Sequence, residues 1–212
     1  MVGLLYKEFY TLKRYLRSYS VVFFVFLLES ISMKSPMYLQ SMLSMCLGML
    51  VLTGMSYDKS YGWDRMVQTL PVKRESIVLS KYVSSVILNI FSLVVSTIVG
   101  IIISMFIPMG ADVLSELCFM AVMLLSILML AYALIFPIIY KVGVERARIV
   151  MAAVFIIPVL LVMNLFEDVS PDLLLWIEEH FVISGILFIA FSLICYIVSY
   201  FISVKIYKNK EF

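Results

Sequence analysis

YDKSYGWDRMVQTLPVKRESIVLSKYV, residues 57–83, is the longest polar interruption in a chain of 212 residues that is 64% apolar and only 14% charged. Within it Trp63, Met66, Val67 and Leu70 stand at i, i+3, i+4 and i+7, the spacing of one apolar stripe on a short helix. Pro71 ends that helix because it has no N–H to donate. It can equally open the next helix at the first position, where the missing donor costs nothing. The spacing predicts a helical elbow lying across the cytoplasmic end of two membrane spans. Such an element suits two uses: a surface offered to a soluble partner, or an interfacial helix resting in the headgroups.

Outward from the elbow, the chain reads as membrane in both directions. Its apolar fraction stands well above the roughly 45–50% of a soluble domain, and its mean hydropathy is +1.09. One apolar run follows another for nearly the whole length, which predicts a single membrane domain and leaves no room for a soluble catalytic domain. Lysine and arginine in short loops mark the cytoplasmic side. They gather in four segments: Lys7, Lys13, Arg14 and Arg17; Lys59, Arg65, Lys73, Arg74 and Lys81; Lys141, Arg146 and Arg148; Lys205, Lys208 and Lys210, with Lys34 alone elsewhere. Acidic segments alternate with them. The pattern predicts an all-α, multi-pass protein of the cell membrane with both termini in the cytoplasm. The six transmembrane helices fall at about residues 19–33, 36–56, 82–107, 113–140, 149–166 and 181–204, with the elbow at 57–81 between the second and third.

Residues 1–18 carry Leu5, Phe9, Leu12 and Leu16 at steps of four, three and four, with the basic residues elsewhere on the wheel. This predicts an amphipathic helix on the inner leaflet, drawn to anionic lipid. The first apolar run, after this basic start, lacks a small-residue cleavage site, so no cleaved leader is expected. Glu29, close to Lys34, is expected at the outer end of the first span, where its carboxylate reaches water. In the third span Ser92, Ser96, Gly100 and Ser104 recur every four residues, a ridge of small side chains that predicts close packing against another helix. Pro158 predicts a kink in the fifth span. After it, Ser170, Pro171 and Asp172 make a helix start that leads into an apolar run, which predicts a short helix in the outer leaflet. His180 stands alone as the chain's single histidine, so metal binding is not expected.

Cys46, Cys118 and Cys195 lie inside apolar runs, with neither the paired spacing of a zinc site nor an even count for disulfides. There is no H-E-x-x-H, no G-x-S-x-G and no phosphate-binding G-x-x-x-x-G-K-[ST]. No span carries paired carboxylates for a proton relay. The chain is therefore not expected to be an enzyme or to hold a cofactor, and nucleic acid is not an expected partner. Gln40, Asn89 and Asn164 are the buried polar candidates, each expected to hydrogen-bond between helices.

The span layout resembles the small permease subunits of type-2 ABC exporters. So does the run Trp63-Asp64, Thr69-Leu70-Pro71-Val72, Arg74, Ile77-Val78-Leu79 and Ser80-Lys81-Tyr82. Within that class it is most similar to the bacterial permeases found with peptide and bacteriocin exporters, such as the staphylococcal exporter of phenol-soluble modulins. Asp58 is a loose match to an acidic residue of the family. The layout extends over essentially the whole chain, and the motif over about residues 57–83. The resemblance implies a half-transporter whose ATP and Mg are bound by a separate ATP-binding subunit in two copies. A second permease subunit would complete a homo- or heterodimer, and amphipathic or antimicrobial peptide would be the exported cargo. It implies that Trp63, Asp64, Arg65, Met66, Val67, Leu70, Pro71 and Arg74 form the ATPase-coupling element. Glu145, Arg146 and Arg148 would make a second cytoplasmic contact. A stand-alone membrane immunity protein and a secondary transporter are the alternative readings.

Overall fold

The computed structural model describes residues 2–106, 113–144, 153 and 181–210. Its elements in chain order are α1 (Val2–Ser32), α2 (Pro36–Ser60), α3 (Trp63–Met66), a 3-10 turn (Val67–Thr69), α4 (Arg74–Phe106), α5 (Val113–Val142) and α6 (Phe181–Lys208). No strand occurs among the described residues. Four of these helices, α2, α4, α5 and α6, are long and apolar enough to cross a membrane, and α1 adds a shorter apolar part at Ser20–Ser32. The fifth span, its Pro158, the outer-leaflet helix after Ser170, Asn164 and His180 all fall outside the described residues.

The expected amphipathic segment and first span are one unbroken helix of 31 residues. Nothing between Leu4 and Ser32 interrupts it, since the stretch holds neither glycine nor proline. Its buried stripe also differs from the expected one: Leu4 and Glu8 face the bundle, while Phe9 is exposed. α1 closes in a Schellman turn. Ser35 N–H bonds to the Ser30 carbonyl at 3.2 Å and Lys34 N–H to that of Ile31 at 3.2 Å. Lys34 occupies the left-handed position that glycine usually fills, at φ 51°. Pro36 then stands in the first turn of α2, where its missing donor is harmless.

The small-residue ridge of α4 faces the interior of the same chain. Ser92 and Ser96 are fully buried. A Cβ on Gly100 would come within 3.3 Å of both Pro36 in α2 and Leu117 in α5. Ser104, near the end of the ridge, is half-buried. Gln40 adds polar fastening at the same junction, its amide donating to Thr97 Oγ1 at 3.0 Å and to the Leu117 carbonyl at 3.1 Å. Lower down, the Tyr132 hydroxyl rests where a Cβ on Gly48 would be, 2.6 Å away, with Asn89 Oδ1 at 3.7 Å from the same point. Only a residue without Cβ lets α2 and α5 approach so closely there.

α5 and α6 run parallel and form the most extensive helix pair. Gly185 packs on Phe119, Ser199 bonds to Ala133, and Tyr207 meets Tyr140 edge to face at 5.4 Å. Pro137 lies inside α5 and leaves the carbonyl of Ala133, four residues earlier, without its helical donor. Ser199 Oγ supplies one at 2.6 Å and also pairs with the Tyr82 hydroxyl at 2.8 Å. Tyr196 donates to the Tyr82 carbonyl at 2.8 Å and lies 2.6 Å from Ser85 Oγ. These hydroxyls tie α4, α5 and α6 together without charged groups, the arrangement a low-dielectric interior favours.

Candidate interaction site at the elbow

The elbow begins where α2 runs out. Tyr61 N–H bonds to the Tyr57 carbonyl at 2.9 Å and Gly62 N–H to that of Lys59 at 3.1 Å. Gly62 turns the chain at φ 66°, a left-handed conformation that glycine adopts without steric cost. One α-turn follows, then one 3-10 turn. The change from 3.6 to 3.0 residues per turn shifts the phase of the side chains. As a result the expected stripe divides. Val67 is 1% exposed and joins the core, and Trp63 packs against that core half-buried. Met66, 62% exposed, and Leu70, 41% exposed, point away from the bundle beside exposed Arg65 and Pro71.

Pro71 does not open α4. Leu70 is extended, at φ −89° and ψ 146°, as a residue before proline prefers. Val72 N–H closes a tight turn onto the Leu70 carbonyl at 2.7 Å. α4 starts three residues later at Arg74, with the Lys73 carbonyl accepting from Ser76 at 2.9 Å. Arg74 faces the bundle's other end of chain: its guanidinium donates to the Lys208 carbonyl at 2.7 Å, and the Lys208 ammonium pairs with Glu75. That hydrogen bond and the Lys208 charge hold the exposed Glu75 carboxyl below its ordinary pKa. Glu145, Arg146 and Arg148 lie outside the described residues.

Above the elbow sits a closed ring of four charges. The Lys7 ammonium meets Glu8 Oε1 at 3.1 Å and Asp58 Oδ1; the Lys81 ammonium meets Glu8 Oε2 at 2.6 Å and Asp58 Oδ2. Every carboxylate oxygen thus has one ammonium partner, and the sum of charge is zero. Glu8, Asp58 and Lys81 are all buried. The ring draws its members from α1, α2 and α4, and the elbow joins it through Trp63, whose indole lies 4.6 Å under the Lys7 ammonium. Taking four charges out of water is costly. It is sustained here because both carboxylates are fully paired. A small cavity of about 80 Å³ between Trp63, Asp58, Lys81 and Tyr140 separates the ring from the feet of α5 and α6.

Of the ring, the sequence marks Asp58 and Lys81 within or beside the family-like motif and Lys7 among the basic residues, and leaves Glu8 unmarked. The alternation of sign at Lys7 and Glu8, with Glu8 one turn after buried Leu4, was the signal available. It does not by itself distinguish a buried carboxylate from a solvated one.

A family model described as ABC-2 family transporter protein matches residues 3–208, nearly the full length. The chain belongs to the ABC-2 transporter family. No curated protein and no solved structure matches it. This ABC-2 chain is accordingly a multi-pass membrane protein and a permease subunit of an ABC transporter, and its family implies pairing with an ABC ATP-binding subunit. The elbow and the charge ring occupy one end of that permease. No group of three metal-ligating side chains occurs among its described residues.

Proposed function

We propose that this ABC-2 permease is the membrane half of an ATP-driven exporter of amphipathic peptides, akin to the bacterial peptide and bacteriocin exporters. Its elbow serves as the coupling element that receives the ATP-binding subunit. The observation that carries the reading is the division of the elbow's apolar stripe: Trp63 and Val67 anchor it to the core, while Met66 and Leu70 are left facing outward. A purely interfacial anchor has no need of the rigid fastening that the charge ring and Trp63 give. A docking element does, because a push on a loose elbow would not reach the helices. In this reading six spans place both termini in the cytoplasm, two permease chains face each other, and ATP and Mg sit in the partner subunits. The peptide cargo class is supported by the outward row of Tyr38, Met42, Met45 and Met49 on α2, a deformable apolar surface suited to varied apolar faces.

The test is to purify Met66→Asp and Leu70→Asp variants in mild detergent from native membranes. Because both side chains are exposed, insertion and monodispersity are expected to match the native chain, while the ATP-binding subunit that copurifies with the native chain is lost, and export with it. Undiminished copurification and export would reduce the elbow to a membrane anchor. Activity in cells deleted for every candidate ATPase would favour the immunity or secondary-carrier alternative.

A further inference from the structure

Beside the ring, about a turn and a half further along α1, stands a lysine outside it, at the edge of a cavity. Between the N-terminal half of α1 and the elbow opens a space of about 580 Å³, walled by Tyr10, Tyr57, Tyr61 and Trp63, with Lys7 and Asp58 at its floor and Lys13 at its rim. We propose that this cavity binds the phosphate of an anionic phospholipid of the leaflet on the elbow side. Met66 of the proposed docking face also borders this cavity, so the two sites adjoin. Lys13 lies outside the docking face, and its substitution tests the lipid site separately from ATPase docking.

Charge decides the sign of the ligand. The acids at the floor are already matched, since Asp58 and Glu8 are each shared between Lys7 and Lys81, so the floor contributes no net field. Lys7 is committed to two carboxylates and to the Trp63 ring. Lys13 is exposed and forms no ion pair among the described residues. Among its described lining residues, the cavity therefore presents one available positive charge, Lys13, over a neutral base.

Depth decides the source. The apolar part of α1 begins at Ser20. Lys13 lies seven residues before it, about 10 Å at the helical rise, which is the depth of the headgroup layer. A helix needs about 20 residues to cross the hydrocarbon. The same length counted from Pro36 along α2 arrives at Met55, just before Tyr57 and Tyr61. Lys13 and the aromatic walls thus lie where hydrocarbon gives way to headgroups, the level at which tyrosine and tryptophan concentrate and at which lipid phosphates are held at high local density. Tyr57 and Tyr61 stack at 6.2 Å, giving the glycerol region a flat wall, and the exposed Tyr10 hydroxyl stands opposite.

Trp63 reports on the site, because Trp176 is the only other tryptophan. The full chain carrying Trp176→Phe is reconstituted in phosphatidylcholine bilayers containing dilute bromine-labelled phosphatidylglycerol or, separately, bromine-labelled phosphatidylcholine. The expected result is that the anionic lipid quenches Trp63 at a mole fraction about fivefold lower, the preference that one interfacial lysine confers. Lys13→Gln removes the preference and Lys13→Arg keeps it. Equal quenching by the two lipids, or a preference that survives Lys13→Gln, overturns the proposal. Relief of quenching by millimolar inorganic phosphate at constant ionic strength overturns the lipid assignment in favour of a soluble anion.

Discussion

Lys81 holds two carboxylates at once, and the chemistry of the elbow end follows from it. Replacing it by methionine would leave Glu8 and Asp58 buried with only Lys7 between them. Breaking a buried pair from one side costs about 3–5 kcal/mol. Lys81→Met is therefore expected to lower the melting temperature in detergent markedly. Lys81→Met combined with Glu8→Gln, which leaves the neutral Lys7–Asp58 pair, is expected to regain most of the loss. A single variant that melts like the native chain would show that the ring does not fasten α1 to α4. The residues of this ring were the least legible in the sequence. Lys81 is 73 positions from Glu8 and Lys7 is 51 from Asp58, and no local pattern reports pairing over such distances. Asp58 stands out in the sequence only as a loose match to a family acid. The elbow beside it was legible, because its polar run stands out against apolar flanks. The orientation of Met66 and Leu70 was not, since it depends on a change of helical pitch within seven residues.

Among the elements, α5 shows how a helix breaker is absorbed. Pro137 removes one donor from the ladder, and α6 returns one through Ser199. Ser199→Ala leaves the Ala133 carbonyl buried without that donor, and withdraws one partner from Tyr82. The expected cost is about 1–3 kcal/mol, read as a lower melting temperature. Ser192→Ala, whose hydroxyl bonds only within its own helix at 2.8 Å, serves as the neutral comparison. Equal effects of the two would mean that Pro137 needs no support from α6. The proline was visible in the sequence and its remedy was not, because serine in a membrane helix satisfies itself locally as readily as it bridges. The ridge of Ser92, Ser96 and Gly100 was legible for the opposite reason: a fixed spacing of small residues has one geometric use in a bundle. What the spacing could not name was the neighbour, which proves to be α2 and α5 of the same chain.

At the scale of the molecule, the parallel course of α5 and α6 brings the C-terminal end of the chain to the foot of α4, where Lys208 binds Glu75 and Arg74. The Glu75 carboxyl titrates below its ordinary value there. This tie is present above the ordinary carboxylate range and is lost as the pH falls through the lowered value. The arrangement also predicts sidedness. In a background with Cys46, Cys118 and Cys195 replaced by alanine, cysteines at Tyr61 and Asn209 are expected to share one side and a cysteine at Lys34 to lie on the other. A membrane-impermeant maleimide should label the last in intact cells and the first two only after permeabilisation. Labelling of Asn209→Cys from outside would separate the end of the chain from the elbow.

The charge ring also sets an order of synthesis. Lys7 and Glu8 leave the ribosome well before their partners, Asp58 at the end of the second long helix and Lys81 after the elbow. Until then the leading turns of the chain have no buried place to occupy and must wait in water. The leading turns of α1 are thus translated before their partners and fitted only after them, and the elbow cannot take its final shape before the helix that follows it has begun.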